Sequence, residues 1–320
     1  MSTVFRLSRA PLAWPADPAP SALTIGNFDG VHRGHQALLE ATVRAAGERG
    51  LVPTVLTFEP SPGAYFARGR GLTPPVRLQR LRDKVACLRA LGVAHVCVAR
   101  FDEAMASLPP EAFCETVLRQ RLNVRWLIIG QDFRFGRGRT GDVAFLRTWA
   151  AGYGIELHVL PDVGAEGSRC SSSRVREALA AGDCATAAAL LGRPYRISGR
   201  VAHGQKLGRA LGFPTINIPL WSPPPISGVF AVRVHGIDVA SGQAIAGAAS
   251  AGVRPTVTSA GQPLLEVHLL DFSGNLYGKR VVVEFVEFLR PELRFSSTAE
   301  MVEQMHRDVA RTRALLLGAA

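Results

Sequence analysis

In Gly26-Asn27-Phe28-Asp29-Gly30-Val31-His32-Arg33-Gly34-His35, two imidazoles stand three residues apart among three glycines. An apolar run, Ala22–Gly26, precedes the segment, and helical spacing over Gln36–Glu48 follows it. A helix start offers free backbone N–H groups and the positive end of a dipole, which together make an anion site. The glycines let the backbone approach phosphate closely. Two imidazoles can donate hydrogen bonds to a triphosphate, more strongly as charge builds on the α-phosphate. A turn with two solvent-facing histidines fits the same residues. A metal pair would need a third ligand that nothing nearby supplies.

A second cluster runs Gly204-Gln205-Lys206-Leu207-Gly208-Arg209-Ala210-Leu211-Gly212-Phe213-Pro214-Thr215-Ile216-Asn217. It lacks the Walker A pattern, but its glycines can form a flap whose backbone contacts phosphate. Thr215 and Asn217 are two apart, so in an extended chain their oxygens share a face. Neutral oxygens together with nucleotide phosphates can hold Mg²⁺. A plain Gly/Pro turn is the competing account. In Leu264-Leu265-Glu266-Val267-His268-Leu269-Leu270, Glu266 and His268 share one face and Leu265, Val267 and Leu269 the other. A carboxylate in so apolar a strand is a candidate general base. An exposed Glu on the outside of a barrel fits the alternation equally well.

The elements that must position these groups follow from periodicity. Ala22–Gly26, Val52–Phe58, Val93–Val98, Trp126–Ile129 and Ile155–Leu160 read as buried strands. Gln36–Glu48, Leu78–Leu91, Glu111–Leu122 and Val143–Ala151 have helical spacing between them. This alternation predicts an α/β fold, a parallel sheet with helices on both faces and ligands beyond the carboxyl ends of its strands. From Tyr195 the pattern changes. Ile197–Val201, Val229–Val234, Leu264–Leu270 and Val281–Phe288 predict a small barrel or sandwich. Ser296/Ser297 cap a terminal helix reaching Leu317. The Ala-rich helix Cys184–Leu191 ends at Gly192-Arg193-Pro194, which puts the boundary near residue 186 and the domains at 1–186 and 187–320.

Composition narrows the class. The chain is 47% hydrophobic and 20% charged, as expected for a globular protein. Its net charge of +11 splits into +5 from residue 187 onward and +6 before it, and only three of its 37 basic residues are lysines (Lys84, Lys206, Lys279). Spread so evenly, the excess argues against nucleic acid as a partner. Cys87, Cys97, Cys114, Cys170 and Cys184 form no C-x-x-C pair, which suits reduced thiols in a cytoplasm. Residues 1–20 hold no apolar signal-peptide core, and no stretch is apolar enough to span a bilayer. A soluble cytoplasmic protein with no membrane partner is expected.

Further segments carry a family resemblance. Thr57-Phe58-Glu59-Pro60-Ser61-Pro62 follows the second expected strand. Gly130-Gln131-Asp132-Phe133-Arg134-Phe135-Gly136, with Arg139, Gly141 and Asp142, follows the fourth. Ser171-Ser172-Ser173-Arg174-Val175-Arg176 follows the fifth and opens a helix. With the histidine segment, whose spacing is that of the nucleotidylyltransferase superfamily, they resemble the FAD synthetase domain of bacterial bifunctional riboflavin kinase/FAD synthetases. The later clusters resemble the kinase domain of the same family, as do Gly199-Arg200-Val201, Arg254-Pro255-Thr256, Asp271-Phe272-Ser273-Gly274 with Tyr277-Gly278, and Leu289-Arg290-Pro291-Glu292.

The resemblance implies a Rossmann-like nucleotidylyltransferase domain followed by a six-stranded riboflavin-kinase barrel with a terminal helix. It implies phosphorylation of riboflavin to FMN and adenylylation of FMN to FAD, with ATP as co-substrate, Mg²⁺ as cofactor and pyrophosphate released. Gly26, Asn27, Phe28, Gly30, His32, His35, Ser171, Ser172, Ser173 and Arg176 would bind ATP in the first domain, with His32, His35 and Arg176 catalytic. Gly204, Gly208, Gly212 and Pro214 would bind it in the second. Thr215 and Asn217 would take Mg²⁺, and Glu266 would be the base. Flavin would meet Asp132, Phe133, Phe135, Arg254, Glu266, Arg290 and Phe295. The expected partners are riboflavin, FMN and ATP, and the expected state is a monomer or weak homo-oligomer. Two positions depart from the family pattern: Ser61 stands where His is usual, and Ser250 where Asn is usual. The alternatives are a chain in which only the kinase works, and a nucleic-acid-binding or regulatory protein built on the same folds.

Overall fold

A computed structural model of the chain describes residues 5–10, 18–162, 164–165, 168–204, 208, 211–237, 242–253 and 263–318. The chain forms two compact units, residues 1–75 with 80–170 and residues 76–79 with 171–320.

The first unit is built on six strands, β1 (Arg6–Ala10), β2 (Ser21–Ile25), β3 (Val52–Glu59), β4 (His95–Arg100), β5 (Val124–Gly130) and β6 (Glu156–Leu160). Their order is β1-β4-β3-β2-β5-β6, and every neighbouring pair is parallel. β1 was not among the expected strands, and it adds an edge beside β4. A two-residue hairpin, β7 (Gly164–Ala165) and β8 (Ser168–Arg169), follows the sheet.

The helices of this unit are α1 (Arg33–Arg49), α2 (Pro62–Gly69), α3 (Leu81–Ala90), the short α4 (Glu103–Ala106) and α5 (Pro110–Ala112), and α6 (Val143–Gly152). A π-helical stretch, Phe113–Arg121, continues α5. All five residues of β2 are buried, as in a parallel sheet covered on both faces. Successive residues of β3 enter opposite layers. Leu56 packs with Leu118, Leu127 and Leu146, and Val55 with Leu39, Leu88 and Val96. Strand order reverses at β2, which has β3 on one side and β5 on the other. The crevice beyond its carboxyl end is where such sheets take ligands, and the histidine loop begins there.

The second unit opens with α7 (Ser172–Ala180) and α8 (Cys184–Leu191). Six antiparallel strands follow: β9 (Tyr195–Arg200), β10 (Thr215–Pro219), β11 (Gly228–His235), β12 (Ile245–Val253), β13 (Pro263–Leu269) and β14 (Arg280–Arg290). Their order is β10-β13-β12-β11-β14-β9. A bridge between Ala202 and Asn217 joins the chain after β9 to β10, so the sheet curls toward closure. Irregular pairing of β11 with β14 near Val229–Val232 sharpens the twist. Phe230, Val232, Val267, Val283 and Phe285 fill the interior. On the other face of the sheet, Val229, Ala231 and Leu289 pack with Leu316 of α9 (Thr298–Leu317). Ser297 caps α9 by accepting from the Glu300 N–H at 3.2 Å, and the Glu300 carboxylate accepts from the Ser296 N–H at 2.9 Å. Among the described residues no helix is long and apolar enough to cross a membrane.

Candidate active sites

The loop between β2 and α1 holds an unusual backbone. Phe28, Gly30 and Val31 have φ of 48°, 86° and 45°. Such angles are costly for Phe and Val, and they persist because both side chains are fully buried, packed against Leu39 and Leu88. His32 is the N-cap of α1 and its side chain makes no capping bond. Its ring stacks on His35 with centroids 3.7 Å apart, and Phe28 lies 5.0 Å from His35. Gly34 keeps the turn narrow, since a Cβ there would lie 3.2 Å from the His32 ring.

Burial, aided by Arg169 and opposed by Asp29, lowers the His32 pKa to about 4. Burial, then His32, then Lys84 hold His35 well below its ordinary value. Both rings are therefore neutral near pH 7. Each keeps a buried Nδ1 without a hydrogen-bond partner, and α1 has no acidic residue in its first turn. Unpartnered imidazole nitrogens at a helix start suit an incoming phosphate.

The other segments that follow the strands hold the remaining expected residues. Ser61 accepts from the Ala64 N–H at 3.3 Å and caps α2, which gives the departing residue a structural task. After β5, Phe135 and Gly141 exchange backbone hydrogen bonds of 3.0 Å. Phe135 is buried in the core, stacked on Phe133 at 5.5 Å, and Phe133 is half-buried. Asp132 is paired with Arg169, which also meets Asp162 at 3.0 Å. Ser171 caps α7 by accepting from Arg174 N–H at 3.2 Å, and Ser172 and Ser173 begin that helix. Arg176 donates from Nε to the Val76 carbonyl at 2.6 Å. These four residues belong to the second unit.

In the barrel, cross-strand register lines up Asn217 on β10, Glu266 on β13, Ser250 on β12 and Val229 on β11. All four line a cavity of about 650 Å³. Met301, Met305, Asp308 and Val309 of α9 line it too, at the spacing of one helix face. Leu265, Val267 and Leu269 are buried on the opposite side of β13, so the predicted alternation holds. Thr215 pairs with His268, whose Nδ1 lies 3.0 Å from the Pro214 carbonyl. The buried Asn217 Oδ1 has no hydrogen-bond partner. An orphaned amide oxygen beside a Thr hydroxyl and a carboxylate is a donor set that fits Mg²⁺.

Gly204 lies against Asn217, where a Cβ would sit 2.5–2.7 Å from the amide group. The Phe213 N–H donates to Gly208 O at 2.7 Å, and Gly212 turns the chain at φ 82°. Arg290 also lines the cavity. Its guanidinium meets both carboxylate oxygens of Asp308 at 2.8–3.0 Å and lies 5.8 Å from the Phe295 ring. Ser250 Oγ donates to Glu292 at 3.2 Å. Arg254 lies outside the described residues.

Sequence reading passed over three charged residues. Lys84 was counted only as composition, yet it is buried and donates to Asn27 O at 2.6 Å. Its spacing with Leu81 and Leu88 along one helical face was the available signal. Asp308 sits on the apolar face of α9 in the same way. Arg169 gave no signal, because its partners are distant in sequence.

The profile of the FAD synthetase family matches residues 15–174, and that of the riboflavin kinase family residues 191–316. The bifunctional riboflavin kinase/FMN adenylyltransferase of Haemophilus influenzae is 45% identical over 92% of this chain and 93% of its own. That of Escherichia coli K12 is 44% identical over 91% of each. A crystal structure described as a macrolide-efflux protein from Streptococcus pneumoniae has a TM-score of 0.78 and 29% identity, covering 93% of this chain and 95% of its own.

Proposed function

The chain belongs to the bifunctional riboflavin kinase/FMN adenylyltransferases, which make FMN from riboflavin and FAD from FMN, and we propose that adenylylation occurs at the histidine loop and phosphorylation in the barrel cavity. The observation that carries this division is the row Asn217–Glu266–Ser250–Val229, which gives the cavity its own carboxylate and candidate metal ligand.

In the kinase reaction, Glu266 takes the proton of the ribityl 5′-hydroxyl as that oxygen attacks the γ-phosphorus of ATP. The bond from γ-phosphorus to the bridging oxygen breaks and ADP leaves. Thr215 and Asn217 would hold Mg²⁺, which supplies charge neutralisation on the ATP phosphates when bound. Arg290, fixed by Asp308, and Phe295 present a flat cation and ring to the flavin. In the adenylyl transfer, an FMN phosphate oxygen attacks the α-phosphorus, the α–β bridge breaks and pyrophosphate leaves. The nucleophile carries no proton to remove, so the loop needs only to position and neutralise. Neutral His32 and His35 donate N–H groups to the phosphates, and the start of α1 adds its dipole.

The five cysteines are free, which supports the cytoplasm as compartment. The test is incubation of the protein with riboflavin, ATP and Mg²⁺, separating riboflavin, FMN and FAD over time. His32→Ala should stop FAD formation from added FMN and leave FMN formation nearly intact, and Glu266→Ala should do the reverse. Loss of both activities from either substitution in folded protein would refute the division.

A further inference from the structure

Lys84 is 6% exposed, on the face of α3 that packs the first unit's core. Its Nζ donates to the Asn27 carbonyl at 2.6 Å and lies 3.5 Å from Thr57 Oγ1, which itself donates to Asn27 O at 3.2 Å. Asn27 precedes Phe28, the first residue of the histidine loop with positive φ. Leu88, one turn further along α3, packs against Phe28 and Val31. One helix thus holds the loop twice, through an apolar contact and through an ammonium group.

Burying an ammonium is costly until its partners offset it. Methionine would fill the same space between Leu81 and Leu88 without that cost. A cation kept there calls for a reason beyond packing, and the adjacent loop supplies one. Its charge also reaches His35, where it opposes protonation of the ring.

We propose that Lys84 is a positioning residue for adenylyl transfer, a buried cation that clamps the Asn27 backbone and fixes the phosphate loop from beneath. The inference rests on the assignment of adenylylation to that loop. With the loop held, the stacked imidazoles and the start of α1 are in place before ATP arrives, and less binding energy is spent on ordering them.

The test uses the full chain with Lys84→Met, which removes charge and donor at similar volume, and Lys84→Gln, which keeps a donor for Asn27. FAD formation from added FMN is measured beside FMN formation from riboflavin, the internal control for folding. The His35 ring protons are titrated by NMR, assigned by their loss in His35→Gln. Lys84→Met should lower FAD formation tenfold or more with FMN formation within twofold of the parent, and His35 should titrate at higher pH in both variants. FAD formation within twofold of the parent in both variants would overturn the proposal. So would loss of FAD formation with the His35 titration unmoved, since that is the signature of packing alone. Failure of the underlying assignment looks different: His32→Ala would then leave FAD formation intact.

Discussion

Replacing Gly204 with alanine adds one methyl group at a place with no room for it. Its carbon would lie 2.5 Å from Asn217 Nδ2, 2.6 Å from Cγ and 2.7 Å from Oδ1. Ordinary contact needs roughly 3.4 Å or more, so something must move by about 0.8 Å. The Asn217 backbone is held on both sides, by the 2.8 Å hydrogen bond from Ala202 N–H and by pairing with Glu266. The Asn217 side chain therefore rotates, or the 203–204 segment backs away. Rotation displaces the proposed magnesium ligand, and retreat of the segment removes the backbone that packs against it. A misplacement of about 1 Å at a reacting centre can cost on the order of 100-fold, near 2.7 kcal/mol. The assay is FMN formation over a range of Mg²⁺ concentrations, with FAD formation from FMN as control. We expect a rate fall of 10- to 100-fold and a higher Mg²⁺ requirement, with FAD formation unchanged. FMN formation within twofold of the parent, at an unchanged Mg²⁺ requirement, would refute the reasoning.

Asp308→Ala leaves the half-buried Arg290 guanidinium without its carboxylate, a loss of about 3 kcal/mol, the lower end for a buried pair. At about 2–4 °C per kcal/mol the thermal midpoint of the second unit should fall by at least ~6 °C, and a shift under ~2 °C in calorimetry would contradict this. Ser250→Ala removes one exposed hydrogen bond to Glu292, so riboflavin KM should rise about two- to fivefold with kcat kept; steady-state kinetics with an unmoved KM would deny Ser250 a part in flavin binding. Burial lowers the pKa of His32 and of His95 to about 4, against about 6.5 in the unfolded chain. The unfolded state therefore takes protons first, and stability is lost as pH falls from about 6.5 to about 4. The loss is about 1.4 kcal/mol per pH unit for each ring. Urea unfolding between pH 7 and 4.5 should show a shallower loss in His95→Gln, and an equal loss in parent and variant would remove His95 from the account.

The sequence disclosed those parts of the fold whose signal is periodic. β2 through β5 are apolar runs, and β13 alternates Leu265, Val267 and Leu269 with Glu266 and His268. β6, read as buried, alternates Leu157 and Val159 with Glu156 and His158 and is a partly exposed edge strand. β12 hid because Ala246-Gly247-Ala248-Ala249-Ser250-Ala251-Gly252 has almost no β-branched residue. The structure gives a reason for small side chains there: a Cβ on Gly247 would crowd the His268 carbonyl, and one on Gly252 would strike Glu292. β1 hid because Arg6-Leu7-Ser8-Arg9-Ala10 is a polar edge, recognisable only by its pairing with His95–Ala99. α2 begins Pro62-Gly63, which reads as a turn until Ser61 is seen to cap it. Histidines, glycines and Glu266 announced themselves by type and spacing. Lys84, Arg169 and Asp308 did not, because each acts through a partner from which it is remote in sequence or alike in pattern to ordinary core.

The row of Asn217, Glu266, Ser250 and Val229 makes the barrel its own proofreader. A slip of β13 by one residue would turn Glu266 into the core and Leu265 into the cavity, since successive side chains face opposite ways. The slipped barrel would bury a carboxylate in the apolar interior and present leucine to the substrates. The error that disables the reaction is thus also the one the fold disfavours most. A misregistered barrel would lose stability and activity together.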